Sequence, residues 1–537
     1  MRNFPGWIII LILCSVLFIP FLGSVSLFDW DEINFAESAR EMLLTKNFLQ
    51  VTINYLPFYE KPPLFFWMQA FAMYTLGVNE WAARIPNVFA AFATLYMLYV
   101  LGKYLQDELT GKIMVALYLA AWLPSFYFRT GIIDPWFNFW IIAALLCFLA
   151  GNEDGNSKSL MYFLGSGVFS GLAVLTKGPV ALLMIGLSLI IYFIMKKKWP
   201  NLKFWLSYSF SLFLILSGWL GTLTYLYGTD FLFSFIQYQI ELFTQPVAGH
   251  EQPFYYHFVV IALGCFPMSF LFINSFRYVP VDYKKRNFSL LMKILFWVVL
   301  IVFSISKTKI VHYSSLCWIP GGIITGIYLR DRWKEIYANS LIRKIIPYWM
   351  LSIGILILIS GIGLPYLKYT GIQDKFLIAG LNGPVYWTGF EAIPGLCLTL
   401  GGIYLLLFKS TINIKPWLYS QAAITSLFLL SLGMFLAPRI AEITQEPAIR
   451  FYKSMQGKRV ILITEGFKSY AHYFYGAVQP PDNTSLQDIN TCLQGNIDRP
   501  IWMVVRKDRI KEDFQDKYPL FNEVFKSGGF VFFVRKP

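Results

Sequence analysis

The sequence has little charge, few cysteines and few histidines, and each shortage excludes a class of protein. Charged residues make up 14% of the 537 positions, whereas soluble domains carry roughly 25%. The 6 cysteines contain no CxxC pair and mostly lie inside apolar stretches, which argues against a disulfide framework. With only 4 histidines, spacing alone predicts no metal cluster. A soluble enzyme, a disordered chain and a disulfide-stapled scaffold are therefore excluded.

Apolar and aromatic residues are abundant instead. Hydrophobic residues account for 56% of the chain and aromatic residues for 18%, and the mean hydropathy is +0.54. Many aromatic rings stand at the ends of apolar runs, which is where amphipathic rings settle at a membrane interface. The composition predicts an α-helical polytopic membrane protein.

The apolar runs predict about thirteen transmembrane helices, since roughly 20 apolar residues cross a bilayer. The first run, residues 7–27, is long for a signal peptide and no Ala-x-Ala-like site follows it, so we expect an uncleaved span. The other predicted spans are residues 81–102, 113–129, 132–150, 160–175, 178–195, 204–227, 254–276, 289–305, 311–329, 345–366, 384–408 and 416–437. Three of these runs are short, so the count holds to within one or two.

A long amphipathic loop, residues 28–80, follows the first predicted span. It returns to helical spacing at 34–44 and 64–76 without reaching spanning length. We interpret both stretches as helices that lie in the membrane interface.

The tail has the composition of an ordinary soluble protein. The pattern predicts a transmembrane domain over residues 1–437 and a small α/β domain over 438–537. Within the tail, we predict buried strands at 460–464 and 501–506, a strand pair at 521–526 and 530–534, and helices at 467–475 and 511–518.

The positive charge is concentrated in short loops. Lysine and arginine number 45 against 31 acidic residues, and the main clusters fall at 196–198, 284–286 and 330–332. Such clusters mark cytoplasmic loops and contact anionic lipid headgroups. They predict a cytoplasmic amino terminus and an exported tail, and no nucleic-acid-binding fold accompanies the charge.

The same orientation places acids and cations from distant loops on one outer face, as a charged, lipid-linked substrate requires. Two prolines hold Glu60 and Lys61 at the start of an apolar helix. Each group also has a plainer interpretation: Asp31 and Asp134 could be helix-terminal charges, and His250 a solvated loop histidine. The outer-face candidates include Asp31, Glu60, Lys61, Arg84, Arg129, Asp134, Lys177, His250, Lys309, His312 and Tyr313.

These residues stand in segments that resemble the motifs of a known family. The segments are DEINFAESAREM at 31–42, YEKPPL at 59–64, RIP at 84–86, LTKGP at 175–179 and the stretch 304–313, with Asp134 after Arg129 and Thr130. In order and in topology they resemble the bacterial GT-C glycosyltransferases, above all the 4-amino-4-deoxy-L-arabinose lipid A transferases and their relatives, the protein O-mannosyltransferases. The resemblance covers about residues 1–440.

The resemblance implies a transferase of the bacterial inner membrane that uses a polyprenyl-phosphate-linked sugar as donor and a lipid, protein or glycan of the envelope as acceptor. It implies that Asp31 is the catalytic aspartate, with Asp134 as a second catalytic residue. Donor-phosphate binding would fall to Lys61, with Tyr313, Lys309 and Arg84 as further candidates. Glu60 and His250 would be candidate ligands of a divalent metal such as zinc.

Two departures from the family pattern leave the substrates open. The family commonly has Arg-Tyr where this chain has Asn34-Phe35, and proline where this chain has Val311. A transporter or flippase of a lipid-linked substrate is the alternative function. It would require polar or broken helices near the membrane midplane and some internal symmetry, whereas the polar residues here collect at one surface and the sequence shows no repeat.

Overall fold

Helices form most of the structure. A computed structural model describes residues 5–153, 157–244, 252–338, 340–407, 414–481 and 489–537. In the first half the helices are α1 (Gly6–Phe18), α2 (Asp31–Thr45), α3 (Leu64–Leu76), α4 (Glu80–Leu105), α5 (Glu108–Ala120), α6 (Trp122–Tyr127), α7 (Asp134–Gly151), α8 (Ser159–Lys177), α9 (Val180–Lys196), α10 (Leu202–Leu216), α11 (Thr222–Tyr227) and α12 (Thr229–Thr244). A two-stranded hairpin, β1 (Thr52–Ile53) and β2 (Leu56–Pro57), lies between α2 and α3.

The second half continues in the same way before the tail begins. Its helices are α13 (Tyr256–Gly264), α14 (Phe272–Arg277), α15 (Tyr283–Ile305), α16 (Trp318–Ala338), α17 (Ser340–Gly363), α18 (Lys375–Leu381), α19 (Ile393–Leu407), α20 (Ile414–Ser431), α21 (Ala437–Thr444) and α22 (Glu446–Ser454). A 3₁₀ segment, Val311–Cys317, precedes α16. The polytopic helical fold is confirmed.

Within the described part of the chain, 8 helical segments are long and apolar enough to cross a membrane, or 9 if one bent pair counts as a span. This is below the predicted count of about thirteen, because several apolar runs fold as short or broken helices. The breaks coincide with prolines, which interrupt helical hydrogen bonding: Pro20 follows α1, Pro124 lies just beyond the break between α5 and α6, and Pro267 lies at the 105° bend after α13.

The two predicted interface helices of the first loop differ in their surroundings. α3 exposes apolar side chains such as Phe71 and Tyr74, as expected for a helix at a membrane surface. The interfacial interpretation of α2 is wrong, because every residue from Glu32 to Met42 is buried. Apolar residues of α2 share a hydrophobic cluster with residues of α22, so α2 lies between the transmembrane helices and the tail.

The tail folds as a four-stranded sheet with short helices. Its elements are β3 (Ile461–Glu465), α23 (Ala471–Gly476), α24 (Ile489–Gln494), β4 (Ile501–Arg506), α25 (Phe514–Lys517), β5 (Asn522–Ser527) and β6 (Phe530–Arg535). The strand order is β3-β4-β6-β5, with β3 parallel to β4 and the other pairs antiparallel. All four predicted strands are confirmed to within one residue, and β5 and β6 form a hairpin. The predicted boundary at residue 437 stays a prediction, since the helical stretch Ile414–Thr444 crosses it.

Candidate active site

Asp31 is the first residue of α2 and faces a histidine rather than the helix backbone. No side chain caps the start of α2. Instead, Oδ2 of Asp31 lies 3.1 Å from Nε2 of His312 in the 3₁₀ segment. The helix-capping interpretation of Asp31 is therefore not what the structure shows, and two parts of the chain far apart in sequence meet at this carboxylate.

Asp134 is the second carboxylate beside His312. Its Oδ2 atom lies 3.9 Å from His312 Nε2, and this oxygen has no hydrogen-bond partner among the described residues. Its Oδ1 atom accepts a 2.6 Å bond from Lys177 Nζ and a longer, 3.4 Å bond from Ser315 Oγ. The imidazole of His312 thus approaches two carboxylates, the half-buried Asp31 of α2 and the buried Asp134 of α7.

Lys61 supplies a buried cation to the same region. Its Nζ atom lies 2.8 Å from Oε1 of Glu60, and Pro62 and Pro63 after it are buried as well. Burial alone would lower the pKa of Lys61, but the nearby Glu60, Tyr313 and Asp31 raise it above its ordinary value. The ammonium group therefore stays charged at neutral pH.

The charges of the site keep Asp31 ionised. Burial works to raise the pKa of this carboxyl group. The hydrogen bond and charge of His312, together with the charges of Lys61 and Lys177, outweigh it and hold the pKa below its ordinary value. Asp31 is thus a carboxylate at neutral pH, close enough to two lysines to be affected by their charges.

Tyr313 and Lys309 lie on the segment that carries His312, and they differ in what they contact. Lys177 Nζ lies 5.0 Å from the centroid of the Tyr313 ring, a cation–π distance, and Tyr313 interacts electrostatically with Lys61. Lys309 is buried and donates a 2.6 Å bond to the carbonyl of Ser306. Tyr313 is therefore part of the cluster, whereas the ammonium group of Lys309 is directed at its own backbone.

The proposed phosphate-binding role of Arg84 needs correction. Its guanidinium group forms two bonds with Glu32, at 2.7 and 2.8 Å. Its remaining N–H groups donate to the carbonyls of Leu22, Val25 and Ser26. All five donors of this arginine are thus engaged, and we assign it a structural role in which it ties α4 to the start of the first loop.

The predicted metal pair is only partly described. His250 lies outside the described residues, and Glu60 is paired with Lys61. Among the described residues no group of three or more histidine, cysteine, aspartate or glutamate side chains could hold a metal ion. The described residues therefore do not form a metal site by themselves, and metal binding stays a prediction.

For two members of the cluster, His312 and Lys177, the sequence predicts an outward-facing position but no role. The signal was present, because both lie within a few residues of apolar helices, where an ionisable side chain is costly. What the sequence lacks is the pairing, since His312 lies 281 positions from Asp31 and the two meet only after folding.

Comparison with known proteins shows similarity to glycosyltransferases. Residues 60–220 match the family described as dolichyl-phosphate-mannose-protein mannosyltransferase. Curated relatives named undecaprenyl phosphate-α-4-amino-4-deoxy-L-arabinose arabinosyl transferase include proteins from Shewanella sediminis, 26% identical over 56% of each chain, and Pectobacterium carotovorum, 24% identical over 72% of this chain and 70% of that one. The alignment with the first of these relatives spans only about half of its length.

A likeness across the whole fold decides the architecture. The crystal structure of ArnT from Cupriavidus metallidurans bound to undecaprenyl phosphate has a TM-score of 0.77 at 17% identity, over 98% of both chains. This chain resembles the GT-C glycosyltransferases in sequence and in fold. The predicted resemblance is thereby confirmed, and it favours a GT-C glycosyltransferase over the transporter alternative.

Proposed function

We propose that this GT-C chain transfers a sugar from a polyprenyl-phosphate-linked donor to an acceptor of the cell envelope, at the periplasmic face of the bacterial inner membrane. The observation that carries the proposal is the cluster of Asp31, His312 and Lys61. An ionised carboxylate and a charged ammonium group lie close together beside apolar helices. The ammonium group is complementary to the departing phosphate of the donor, and the carboxylate is complementary to the attacking group of the acceptor.

The donor end of the reaction requires a cation. The bond between the anomeric carbon and a phosphate oxygen breaks, so negative charge grows on the phosphate while the sugar carbon becomes electron-poor. Lys61 would stabilise the departing phosphate, with the hydroxyl group of Tyr313 beside it. The Pro62-Pro63 pair after Lys61 restricts the backbone at this position, and Glu60 holds the ammonium group at 2.8 Å.

The acceptor end requires a carboxylate. Asp31 would orient the attacking oxygen on the opposite side of the sugar from the phosphate, which predicts inversion at the anomeric carbon. If the acceptor is a hydroxyl group, its proton passes to Asp31. If the acceptor is a phosphate, no proton moves and Asp31 acts by position and charge. His312 and Asp134, held by Lys177, would keep the carboxylate in place.

The relatives suggest the class of both substrates. The curated relatives are named for a 4-amino-4-deoxy-L-arabinose donor linked to undecaprenyl phosphate, and the solved structure holds undecaprenyl phosphate. We infer a donor lipid of the same class here, with a pentose or hexose as the sugar and a lipid A-like lipid, a protein or a glycan as the acceptor. Asn34, which stands where the family commonly has arginine, is the main reason to determine the sugar directly.

Mass spectrometry of the cell envelope, with and without the gene, tests the proposal. We expect one envelope molecule to lose the mass of a sugar in the deletion strain, and the wild-type gene to restore it. A deletion strain whose envelope molecules all keep their masses would contradict a transferase. A flippase deletion would also leave the acceptor without its sugar, so the lipid-linked donor decides between the two functions. Its accumulation at the periplasmic face supports a transferase, and its accumulation on the cytoplasmic side supports a flippase.

The orientation is a separate part of the proposal. From the basic clusters at 196–198, 284–286 and 330–332 we infer an amino terminus in the cytoplasm and a tail in the periplasm. A periplasm-specific reporter fused after Pro537 should be active. Activity of a cytoplasm-specific reporter at that position would reverse the topology and the side on which the reaction occurs.

The last part of the proposal is a divalent metal bound by Glu60 and His250. Gln239 of α12 donates to the carbonyls of Tyr59 and Glu60, so the helix that precedes residues 245–251 packs beside Glu60. Metal analysis of the purified protein, alongside Glu60→Gln and His250→Ala, provides the test. If both variants keep the metal content of the wild type, or if chelation leaves transfer unchanged, the two residues are not essential metal ligands.

A further inference from the structure

One short segment of the tail, residues 470–478, contacts both arms of the first loop. This segment consists of α23 and the residues on either side of it, and we call it the brace. One arm of the loop carries Asp31 and the other carries Lys61. The brace is far from both residues in sequence, and no motif of the sequence analysis included it.

The contacts with the Asp31 arm lie on the amino-terminal side of α2. The hydroxyl group of Tyr475 accepts a buried 2.7 Å bond from the backbone N–H of Leu27. The backbone N–H of Tyr470 donates to Oδ1 of Asp29 at 3.3 Å, and its ring packs edge-on against Trp30 with centroids 5.2 Å apart. The brace therefore holds three of the five residues that precede Asp31.

The contacts with the Lys61 arm converge on a single carbonyl. Tyr55 lies at the tip of the β1–β2 hairpin, and its hydroxyl group donates a 2.6 Å bond to the carbonyl of Val478. Arg40, near the end of α2, donates a 2.7 Å bond to the same oxygen. The hairpin leads directly into Glu60 and Lys61, so this carbonyl couples the end of α2 to the approach to Lys61.

The backbone of the brace supports the same interpretation. Ala477, directly before Val478, has a left-handed φ of 49°, a conformation that is unfavourable for a residue with a side chain. Such conformations persist where the surrounding contacts determine them. At this position, the conformation follows the end of α23 and precedes the carbonyl that accepts from both arms.

We propose that the brace is a positioning element of the active site, which fixes Asp31 and Lys61 relative to each other by holding Leu27 through Tyr475 and the hairpin through Val478. The proposal rests on the proposed sugar transfer, because it assigns the two arms to its two chemical roles. Tyr475 and Tyr55 are positioning residues, since neither is bonded to the reacting groups themselves.

The two arms predict two different kinetic effects. Tyr475→Phe removes the bond to the Asp31 arm, and we expect kcat to fall about fivefold with little change in the KM for the lipid donor. Tyr55→Phe removes the bond to the Lys61 arm, and we expect the donor KM to rise about fivefold with little change in kcat. Each figure is the size expected of one neutral hydrogen bond. A loss of folded protein lowers the apparent kcat and cannot raise KM. The rise in KM therefore separates positioning from instability for Tyr55→Phe, and for Tyr475→Phe the kinetic constants are referred to the concentration of folded protein.

Tyr518→Phe is the matched control. Tyr518 is a buried tyrosine of the same domain whose hydroxyl group is hydrogen-bonded to Glu465, within the tail. The control should leave both kinetic constants within about twofold of the wild type. If Tyr475→Phe and Tyr55→Phe behave like Tyr518→Phe in this assay, the proposal is overturned.

Hydrogen–deuterium exchange of the full-length protein in detergent gives a measurement that does not depend on activity. We expect faster exchange over residues 26–41 in Tyr475→Phe and not in Tyr518→Phe. Unchanged exchange there in Tyr475→Phe would overturn the brace even if transfer is slower. If the wild type transfers no sugar, the proposed function fails, and the exchange result alone decides whether the brace holds the loop.

Discussion

The two helices of the first loop, α2 and α3, differ in burial in a way that is opposite to their polarity. α2 is polar, and yet its residues from Glu32 to Met42 are all buried. α3 is apolar, and yet Phe71 is 72% exposed and Tyr74 is 79% exposed. The polarity of each helix therefore does not indicate its burial: the polar α2 is enclosed by protein, and the apolar α3 has an exposed face, as expected of a helix at a membrane surface.

The difference shows what each helix requires of the rest of the chain. A buried charged group is tolerated only when it is paired and hydrogen-bonded. α2 meets this condition through Glu32 with Arg84 and through Glu37 with Arg40. α3 needs no such partners, and its inner face packs through Phe65 and Phe66. We therefore expect substitutions in α2 to be costly and substitutions on the outer face of α3 to be mild.

Lys61, which lies just before α3, should give a large effect on transfer. Lys61→Ala should lower kcat/KM for sugar transfer about 100-fold to 1000-fold, because a charge-assisted contact to a developing anion is lost. Transfer from the lipid donor by the purified variant measures this. Lys307→Ala, which removes an exposed lysine near the same site, is the control. A variant of Lys61 that binds and uses the donor normally would exclude this lysine from the site.

The buried ion pair of α2 should give the next effect. Arg40→Met leaves Glu37 buried without its 2.6 Å partner, and we expect a loss of about 3 kcal/mol or more in stability. Phe71→Ala, on the exposed face of α3, should change stability by no more than about 0.5 kcal/mol. Thermal unfolding in detergent compares the two. Equal midpoints for both variants would show that α2 and α3 do not differ as described.

Glu41 of α2 should give an effect that is smaller for each pH unit and is spread over the range between its ordinary pKa and its raised one. Burial, and then the charge of Glu37, raises the pKa of Glu41 to about 8 from the ordinary value of 4.5. The folded state therefore binds more protons than the unfolded state between these values. Stability should fall as pH rises from about 4.5 to 8, by at most about 1.4 kcal/mol per pH unit.

Glu41→Gln provides the control for this titration. Glutamine resembles the protonated carboxyl group, so the variant should lose that part of the slope while its stability at pH 5 stays near that of the wild type. Thermal midpoints between pH 5 and pH 8 measure the slope. A slope that is the same in the wild type and in Glu41→Gln would assign the pH dependence to other groups.

Much of the fold could be predicted from composition and periodicity. The strands of the tail are confirmed to within one residue, because alternation and turn residues are local signals. The burial of α2 could not be predicted, because it depends on Arg84 of α4 and on α22 of the tail. Helix breaks such as the bend at Pro267 were also missed, since a long apolar run conceals them.

In the candidate site, too, local signals could be read from the sequence and tertiary contacts could not. Asp31, Lys61 and Tyr313 could be identified from motifs and from their positions beside apolar runs. The meeting of Asp31 with His312, and of Asp134 with Lys177, is a product of tertiary packing. Arg84 carried the same sequence signal as Lys61, yet its donors are all used within the protein. Only the contacts distinguish a substrate-binding cation from a structural one.

The most direct test of the central claim is the rate of sugar transfer by purified Asp31→Asn, measured beside Asp29→Asn. Asp31→Asn should lose about 1000-fold in rate while it keeps its expression and its donor binding, because a carboxylate at the reacting centre is lost. Asp29→Asn should be mild, since its Oδ1 atom can still accept from Tyr470. Near-normal transfer by Asp31→Asn, or a large loss in Asp29→Asn alone, would contradict the assignment of Asp31 as the catalytic carboxylate.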